Sequence, residues 1–447
     1  MGGGFAGAAL VLQLRQQARL ANAEIHLIEP RAVPGPGLAY SARRPEYLLN
    51  VRPGGLSLYP AAPNHFAEWL ARQPESAAGV PEFAPRAIYG RYLHEELDTV
   101  LVTHNRNGVH WHRTTAVAAP LLPSGRRAVL LTDNRTIESD TVVLALGNFP
   151  PPPPCGPDHR YLHHPGYHAD PWASSNIRRI GPDEEVLLIG SGLTAVDVLL
   201  ALRHDGHRAP IAVVARHGRW PKAHGPATAT YPNFYSELAA ETTVTGVLAI
   251  FKQHLRAAAA QGVDWRPVLD ALRPDLGHVW AAWPLAEQRR FLRHLAGLWA
   301  VTRHRSPPQN AQAVADLTAT GLVRLHIGTV REIVPDGRRL RVRVRPAGEP
   351  NAWHTADHVI SCTGPLLDYA HMADPLVQSL RAKGQLTPDP LHLGLLTDAH
   401  GALLAANGAV APGLFTLGPS RRPAYFESTA VPELRRQAAA LAAHLAR

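Results

Sequence analysis

The chain has few cysteines and no long hydrophobic run. Its 447 residues include only two cysteines, Cys155 and Cys362, which are too far apart to form a C-x-x-C motif. This spacing excludes a redox-active cysteine pair, and with it disulfide reduction. We expect a reduced, cytoplasmic protein. No apolar run reaches the ~18 residues that a membrane helix needs, so we also expect no membrane span.

Lysine is scarce as well, because it occurs only at Lys222, Lys252 and Lys383. Arginine supplies most of the 45 basic residues, which exceed the 36 acidic residues and give a formal net charge of +9. The arginines are scattered and form no basic tail or patch, so we expect no nucleic-acid partner. The 25 histidines show no paired-ligand spacing, and we expect no metal site.

A glycine-rich turn stands near the start of the chain. Gly2, Gly4 and Gly7 follow the pattern G-x-G-x-x-G. Such glycines permit a tight turn, the close approach of a pyrophosphate and close packing of the next helix. Residues 8–20 have helical apolar spacing, and a short strand then leads to Glu29, where a carboxylate can bind a ribose. The pattern predicts a dinucleotide-binding site.

A second copy of this motif lies in the middle of the chain. A short apolar strand over residues 185–189 runs directly into Gly190 and Gly192, which with Thr194 and Ala195 give the pattern G-x-G-x-x-A. A helix and a second strand, residues 211–215, follow. The order of a complete β-turn-α-β unit is therefore present.

Arginine follows the second strand of the central unit. NAD sites place a carboxylate at this point for the ribose, whereas NADP sites place arginine for the 2′-phosphate. Here Arg216 and Arg219 are present and no acid is. The pattern favours NADPH over NADH, although solvated loop charges remain the alternative.

Both halves close on a β-rich segment and a strand that ends in glycine, at Gly147 and at Gly364. This repeat predicts an α/β protein with two Rossmann-like dinucleotide-binding domains, β-meanders and a helical insertion that caps the cleft. The tryptophans of the insertion suit either its core or a substrate platform. The predicted domains are the first part of the FAD-binding domain (1–155), the NAD(P)-binding domain (178–220 and 309–366), the helical insertion (221–308) and the C-terminal part of the FAD-binding domain (367–447).

The chain resembles a bacterial family of FAD/NAD(P)-binding proteins, which are flavoproteins with two dinucleotide-binding domains related to flavin-dependent monooxygenases. The resemblance rests on stretches that span nearly the whole chain in the family order, among them GGGFAGAAL, IEPRAVPGPGLAYS, LIGSGLTAVDV, ARHGRWPKAHGP, ISCTGP and YFESTAVPELR. It implies FAD at the N-terminal motif and NAD(P)H at the central one.

The resemblance also implies roles for single residues. Asn50 would lie near the flavin ring as the predicted catalytic residue, with a turn-capping asparagine as the alternative. The predicted cofactor-binding residues are Gly2, Gly4, Gly7, Glu29, Arg31, Gly147, Gly190, Gly192, Thr194, Ala195, Arg216, Arg219, Gly364, Gly418, Glu427 and Thr429. Many relatives have Gly-Asp near Gly418, whereas this chain has proline next, which puts one cofactor hydrogen bond in doubt.

Two bound dinucleotides predict hydride transfer from NADPH to FAD. With oxygen as the next acceptor, the chain would be a monooxygenase that hydroxylates nitrogen or sulfur in a small molecule, and this is our first interpretation. With a quinone, a small organic acceptor or a partner protein, it would be a reductase. A non-catalytic FAD/NAD(P)-binding sensor or scaffold also stays open.

Only Met1 precedes the first glycine motif, whereas a complete strand precedes the central one. By that internal standard the first domain lacks one strand of about 5–8 residues. We therefore expect that the natural start lies upstream of Met1 or that the chain is truncated.

Overall fold

The computed structural model describes residues 1–103, 108–173, 177–226, 230–346 and 350–447. It contains two α/β domains built on parallel strands and a helical insertion. Each domain also carries a three-stranded antiparallel meander. This architecture confirms the predicted fold class. Within the described ranges, no helix has the length and hydrophobicity that spanning a bilayer requires.

The first domain starts with a buried helix. All residues of that helix from Phe5 to Gln13 are buried. The helices of this part are α1 (Phe5–Arg15), α2 (Gly37–Tyr40), α3 (His65–Ala71) and α4 (Arg86–Thr103). The strands are β1 (Ile25–Ile28), β2 (Val109–His112), β3 (Ala116–Ala118), β4 (Arg127–Leu131), β5 (Thr136–Ser139) and β6 (Val142–Leu144). β1 and β2 pair in parallel, and β3 to β5 form the meander.

The second domain is a five-stranded parallel sheet in the order β10-β9-β8-β14-β7. Its strands, with those of its meander, are β7 (Tyr167–His168), β8 (Val186–Ile189), β9 (Ile211–Ala215), β10 (Val323–Ile327), β11 (Thr329–Asp336), β12 (Arg339–Arg345), β13 (Ala352–Ala356) and β14 (His358–Ser361). Helix α5 (Leu193–His204) connects β8 to β9. All four residues of β8 are buried, as a central parallel strand requires. β7 lies before residue 178, so the sheet extends further towards the N terminus than the predicted range.

The helical insertion follows β9. It contains α6 (Tyr235–Leu238), α7 (Val244–Ala260), α8 (Trp265–Ala271), α9 (Leu276–Ala282), α10 (Leu285–His294) and α11 (Ala296–Arg303). Two of these helices begin at side-chain caps, where Thr243 accepts from the N–H of Gly246 and Asp264 accepts from the N–H of Arg266. Helix α12 (Pro308–Ala319) then returns the chain to the second domain.

The C-terminal part rejoins the first domain. It contains the helices α13 (Pro375–Ala382), α14 (Arg422–Tyr425) and α15 (Val431–Leu445) and the strands β15 (Ala402–Leu404) and β16 (Val410–Thr416). β16 pairs in parallel with β6, and α15 packs along α1. The first domain is thus assembled from the two ends of the chain.

The parallel strands of the first domain form two separate sheets. In the second domain, β8 lies between β9 and β14. Between the corresponding strands β1 and β6, no strand lies among the described residues, and a cleft of about 360 Å³ separates them. Met1 stands at its end: the amine donates to the carbonyl of Val143 at 2.8 Å, and the carbonyl accepts from the N–H of Ala145 at 2.8 Å. The cleft therefore corresponds in position to β8 of the second domain.

An apolar strand joined to Met1 is expected to stabilise the first domain. Four added residues Val-Ile-Val-Ile would pair with the free edges of β1 and β6. Each buried aliphatic side chain contributes about 1.5–3 kcal/mol against ~1.5 kcal/mol of ordering entropy, so the four residues should raise the free energy of unfolding by ~3 kcal/mol, the middle of a range of about 0–6 kcal/mol. Urea unfolding measures this. An added Gly-Pro-Gly-Pro is the control, because it cannot form a strand. Equal stabilities for the two variants would contradict the interpretation that the cleft between β1 and β6 accepts a strand.

Candidate functional site

The first glycine turn lies against the ends of β1 and β6. Gly2 has a φ of +98°, and its N–H donates to the carbonyl of Ile28 at 2.8 Å. A Cβ atom at Gly2 would overlap the carbonyl of Ala145, and one at Gly7 would overlap the carbonyl of Gly2. The turn, the sheet and α1 therefore approach so closely that only glycine fits at both positions.

Glu29 lies beside this turn at the carboxyl end of β1. Its side chain is only 3% exposed. One carboxylate oxygen accepts from the N–H of Gly3 at 2.8 Å, and the other accepts from the N–H and the guanidinium of Arg31 at 3.0 and 3.2 Å. The predicted ribose-binding carboxylate is thus next to the turn, and Arg31 orients it.

The central glycine turn repeats this geometry. Gly190 has a φ of +108°, its N–H donates to the carbonyl of Val214 at 2.8 Å, and a Cβ atom there would clash with the carbonyl of Cys362. The corresponding residues of the first turn are Gly2, Ile28 and Ala145. Two copies of one backbone arrangement therefore stand in the chain, one at each predicted dinucleotide site.

Both turns present uncapped helix starts. α1 begins after Gly4 and α5 begins after Gly192, and neither N-cap has a side-chain hydrogen bond. The first N–H groups of each helix are therefore left for another partner, at the positive end of the helix dipole. Thr194 is in the first turn of α5, and Ala195 is fully buried below it. These starts fit the pyrophosphate of a dinucleotide.

Three predicted glycines border open space. A Cβ atom at Gly147, Gly192 or Gly364 would meet no protein atom within 4 Å. Gly147 and Gly364 also have φ values of +67° and +88°, which glycine adopts without strain. Gly192 has a φ of −79°, which any residue adopts, so the protein itself does not require glycine there.

The loop after β9 carries the two arginines predicted for the 2′-phosphate. Arg216 and Arg219 are both exposed. The hydroxyl of Ser191, inside the central glycine turn, donates to the carbonyl of Arg219 at 2.7 Å. The loop is therefore tied to the turn, and its two guanidinium groups lie in solvent beside it.

Asn50 lies in a half-buried turn that contacts the start of the insertion. Its carbonyl accepts from Nε2 of His224 at 2.9 Å, and burial lowers the pKa of His224 to about 4, so this imidazole is neutral at pH 7. Within the described part of the chain the Asn50 side-chain amide makes no hydrogen bond. The sequence motif KAHGP contains His224, but nothing in it identified Asn50 as the partner.

The C-terminal segment returns to the first turn. Gly418 has a φ of +96°, its N–H donates to Gln437 at 3.2 Å, and its carbonyl accepts from the hydroxyl of Ser428. The space beside Gly418 is bordered by α1, since a Cβ atom would contact Ala6. Thr429 is exposed just before α15 begins.

Glu427 is engaged by the helical insertion. Its carboxylate is 6% exposed and accepts from the indole N–H of Trp299 at 2.8 Å, while its other oxygen is 4.0 Å from Arg303. Burial opposes ionisation, but His304 and Arg303 hold the pKa of Glu427 below its ordinary value. This carboxylate links the insertion to the C-terminal segment, and its predicted contact with a cofactor stays a prediction.

Two ion pairs, one of them largely buried, join the two domains. Arg44 of the first domain is 1% exposed and bonds both carboxylate oxygens of Asp205 at 3.1 and 2.7 Å. Arg86, at the start of α4, bonds Asp197 of α5 at 3.0 Å. Since Asp197 lies on the helix that follows the central glycine turn, these pairs fix the relative position of the two turns.

Among the described residues, one group of side chains has metal-ligand spacing. Asp368, His371 and His392 lie within 4.8 Å of one another, and both histidines are exposed. Each imidazole bonds the same carboxylate oxygen, at 2.8 and 3.0 Å. These side chains satisfy one another, and the expected lack of a metal site stays a prediction.

Replacing Gly192 by alanine tests the predicted approach of a pyrophosphate. The added methyl group meets no protein atom, so we expect the Tm of Gly192→Ala to equal that of the parent. The Kd for NADPH should rise at least ~tenfold, because the methyl group would stand between backbone and phosphate. Calorimetric titration measures this. Gly7→Ala should instead lower the Tm, and an unchanged Kd in Gly192→Ala would place the dinucleotide elsewhere.

Comparisons with known proteins agree with this geometry. The sequence model of a family described as FAD-NAD(P)-binding matches residues 1–149. No curated protein matches the sequence significantly. Among solved structures, ornithine hydroxylase from Pseudomonas aeruginosa in its reduced form has a TM-score of 0.66 at 15% identity, over 100% of this chain and 97% of that one.

Two further structures are similar over 99% of this chain and 97% of theirs. They are ornithine N-hydroxylase from Kutzneria sp. 744, with reduced FAD, NADP⁺ and L-ornithine (TM-score 0.67, 13% identity), and L-lysine 6-monooxygenase from Pseudomonas syringae (TM-score 0.67, 17% identity). At these identities the likeness concerns the fold. Residues 1–149 are therefore similar to a family described as FAD-NAD(P)-binding, and the chain has, over its whole length, the fold of these three structures.

Proposed function

We propose that this chain is an FAD-dependent NADPH oxidoreductase that hydroxylates a small amine at nitrogen. The overall reaction consumes the amine, O₂, NADPH and one proton, and yields the hydroxylamine, water and NADP⁺. One oxygen atom enters the new N–O bond and the other leaves as water, while NADPH supplies the two electrons. The observation that supports the proposal is the repeated glycine-turn geometry, which suits two dinucleotides bound by one chain.

The residues of the two turns would bind and orient the dinucleotides. The first turn, with Glu29, suits FAD, and the central turn, with Arg216 and Arg219, suits NADPH. Bound FAD supplies the electron transfer, and the protein supplies position and electrostatics. The ion pairs of Arg44 and Arg86 keep the distance between the two sites fixed, which a hydride transfer requires.

Asn50 and its neighbours would act close to the reacting atoms. The free amide of Asn50 can donate or accept a hydrogen bond, and the neutral His224 holds the turn in place through its carbonyl. The helical insertion packs on the C-terminal segment through Trp299 and Glu427. It would exclude water from the space in which the two dinucleotides meet.

The choice of nitrogen and oxygen draws on the similar structures. Their names describe an ornithine hydroxylase, an ornithine N-hydroxylase and a lysine 6-monooxygenase. A reductase that passes electrons to a quinone or to a partner protein is the competing function. We also propose a cytoplasmic location, because a reducing compartment suits the free thiols of Cys155 and Cys362.

Anaerobic mixing with NADPH tests the enzyme reading. We expect the holoprotein to lose the visible absorbance of oxidised flavin at one NADPH per FAD, because both dinucleotide sites lie in one chain. On admission of air with an amine substrate, hydroxylamine should form in proportion to the NADPH consumed. Faster reoxidation by a quinone than by oxygen would favour the reductase. A flavin that stays oxidised in the presence of NADPH would contradict both the monooxygenase and the reductase. It would favour the remaining alternative, a non-catalytic protein that binds FAD and NAD(P).

The exposed arginines should set the coenzyme preference. The double replacement of Arg216 and Arg219 by serine removes two cations, each able to contribute about 1.5–3 kcal/mol to a phosphate hydrogen bond. Because the two contributions together amount to at least ~3 kcal/mol, we expect the KM for NADPH to rise at least ~100-fold while the KM for NADH changes little. Arg208→Ser, which removes an exposed arginine paired with Asp183, is the matched control. An equal change for both coenzymes would assign the arginines no role in coenzyme choice.

A further inference from the structure

The helical insertion carries an apolar cavity of about 400 Å³ that is open to solvent on one side. This volume is within the range of small-molecule sites, about 300–1,000 Å³. Side chains of α7 to α11 line it together with Phe426, and its aromatic wall consists of Phe251, Trp265, Trp280, Trp283, Phe291 and Trp299. The lining contains one charged residue, Lys252, which is exposed, and no carboxylate.

An apolar cavity that stays open to water is unfavourable when nothing occupies it. Its hydrated lining forgoes about 25 cal/mol per Å² of apolar surface, which an apolar ligand would gain by covering it. The cavity therefore offers an apolar body a better environment than water does.

The wall of this cavity is continuous with the C-terminal segment. Phe426 has a φ of +56°, which is strained for a residue with a side chain, and its ring stacks on Trp280 at 4.7 Å between centroids. The next residue, Glu427, accepts from Trp299, which also lines the cavity. The strained backbone thus joins the cavity to the segment that leads into α15.

We infer that this cavity is the substrate site and that its substrate is an amine carrying an apolar aryl or alkyl body. The inference rests on the proposed function for the reacting amine, while the lining alone sets the chemistry of the body. An amino acid such as ornithine would bring a carboxylate and a second ammonium group into a wall that has no carboxylate. Burying these additional charges without partners is strongly unfavourable, whereas the one reacting amine of the proposed substrate can stay at the open side of the cavity, beside solvent. We therefore expect this chain to prefer apolar amines over diamines and amino acids.

Tryptophan fluorescence gives a test that does not need turnover. The holoprotein without NADPH is titrated with phenylbutylamine, L-ornithine and cadaverine. Because four tryptophans line the cavity, we expect phenylbutylamine to change their emission and to bind at least ~tenfold more tightly than either of the others. Tighter binding of ornithine or cadaverine would overturn the inference.

A cavity-filling variant locates the binding site. Leu248 lines the cavity and is half-buried, so Leu248→Trp should occupy the space, weaken phenylbutylamine binding at least ~tenfold and keep or raise the Tm. Leu285→Trp makes the same change at an exposed position of the insertion outside the lining and should leave binding unchanged. If Leu248→Trp binds phenylbutylamine as the parent does, the cavity is not the site.

The two proposals fail in different ways. Binding of phenylbutylamine that is blocked by Leu248→Trp, together with a flavin that NADPH does not reduce, would retain the apolar site and overturn the proposed function. Reduction by NADPH together with ornithine hydroxylation and no binding of phenylbutylamine would retain the function and overturn the apolar substrate. Hydroxylation of phenylbutylamine, lost in Leu248→Trp and kept in Leu285→Trp, supports both.

Discussion

The close approach of a glycine turn to the next parallel strand is the constraint on which the structure depends. At Gly2 and again at Gly190 the chain has a positive φ and stands so near a neighbouring carbonyl that no side chain fits. This contact fixes where each helix begins relative to the end of its sheet. The unpartnered N–H groups of the helix start therefore face outward at the carboxyl edge, where a dinucleotide can reach them.

The two copies of this contact are supported differently. Behind Gly190 stands β8, a fully buried strand hydrogen-bonded on both sides. Behind Gly2 stands Met1, which makes the same hydrogen bonds as the last residue of β8 and no others of a strand. The first turn is therefore held by α1, by α15 and by Gly7, which packs against the carbonyl of Gly2. The strands on its two sides, β1 and β6, belong to separate sheets. We expect the first site to depend more on these helices than the second.

The local features were predictable because they are encoded by neighbouring residues. The two glycine motifs have the predicted spacing, and the strand at 211–215 has the predicted bounds. Helix α1 ends at Arg15 and not at Leu20, because the guanidinium of Arg15 bonds the carbonyls of Ala21 and Ala23 and turns the chain. These hydrogen bonds of Arg15 form only in the folded chain, so the spacing of apolar residues in the sequence does not predict them.

The contacts between distant segments could not be read from the sequence. His224 and Asn50 are far apart in the chain, and so are Trp299 and Glu427. Nothing in either local sequence distinguishes a paired polar side chain from a solvated one, since the pairing is made when the insertion packs on the first domain. The cavity could not be predicted for the same reason. The spacing of apolar residues predicts which face of each helix is buried, but not whether the buried faces of neighbouring helices pack against each other or leave a space.

The insertion contacts the first domain at several points, and one of them, a short segment of the C-terminal part, has a consequence for how a substrate could be sensed. Phe426 belongs to the cavity wall, Glu427 is held between Trp299 and Arg303, and Ser428 bonds the carbonyl of Gly418 beside α1. Three consecutive residues thus connect the cavity to the helix that carries the first glycine turn. Because Phe426 is strained, a ligand that moves its ring changes the energy of this whole segment. We therefore expect occupancy of the cavity to affect the geometry of the first glycine turn through this segment, without a larger domain motion.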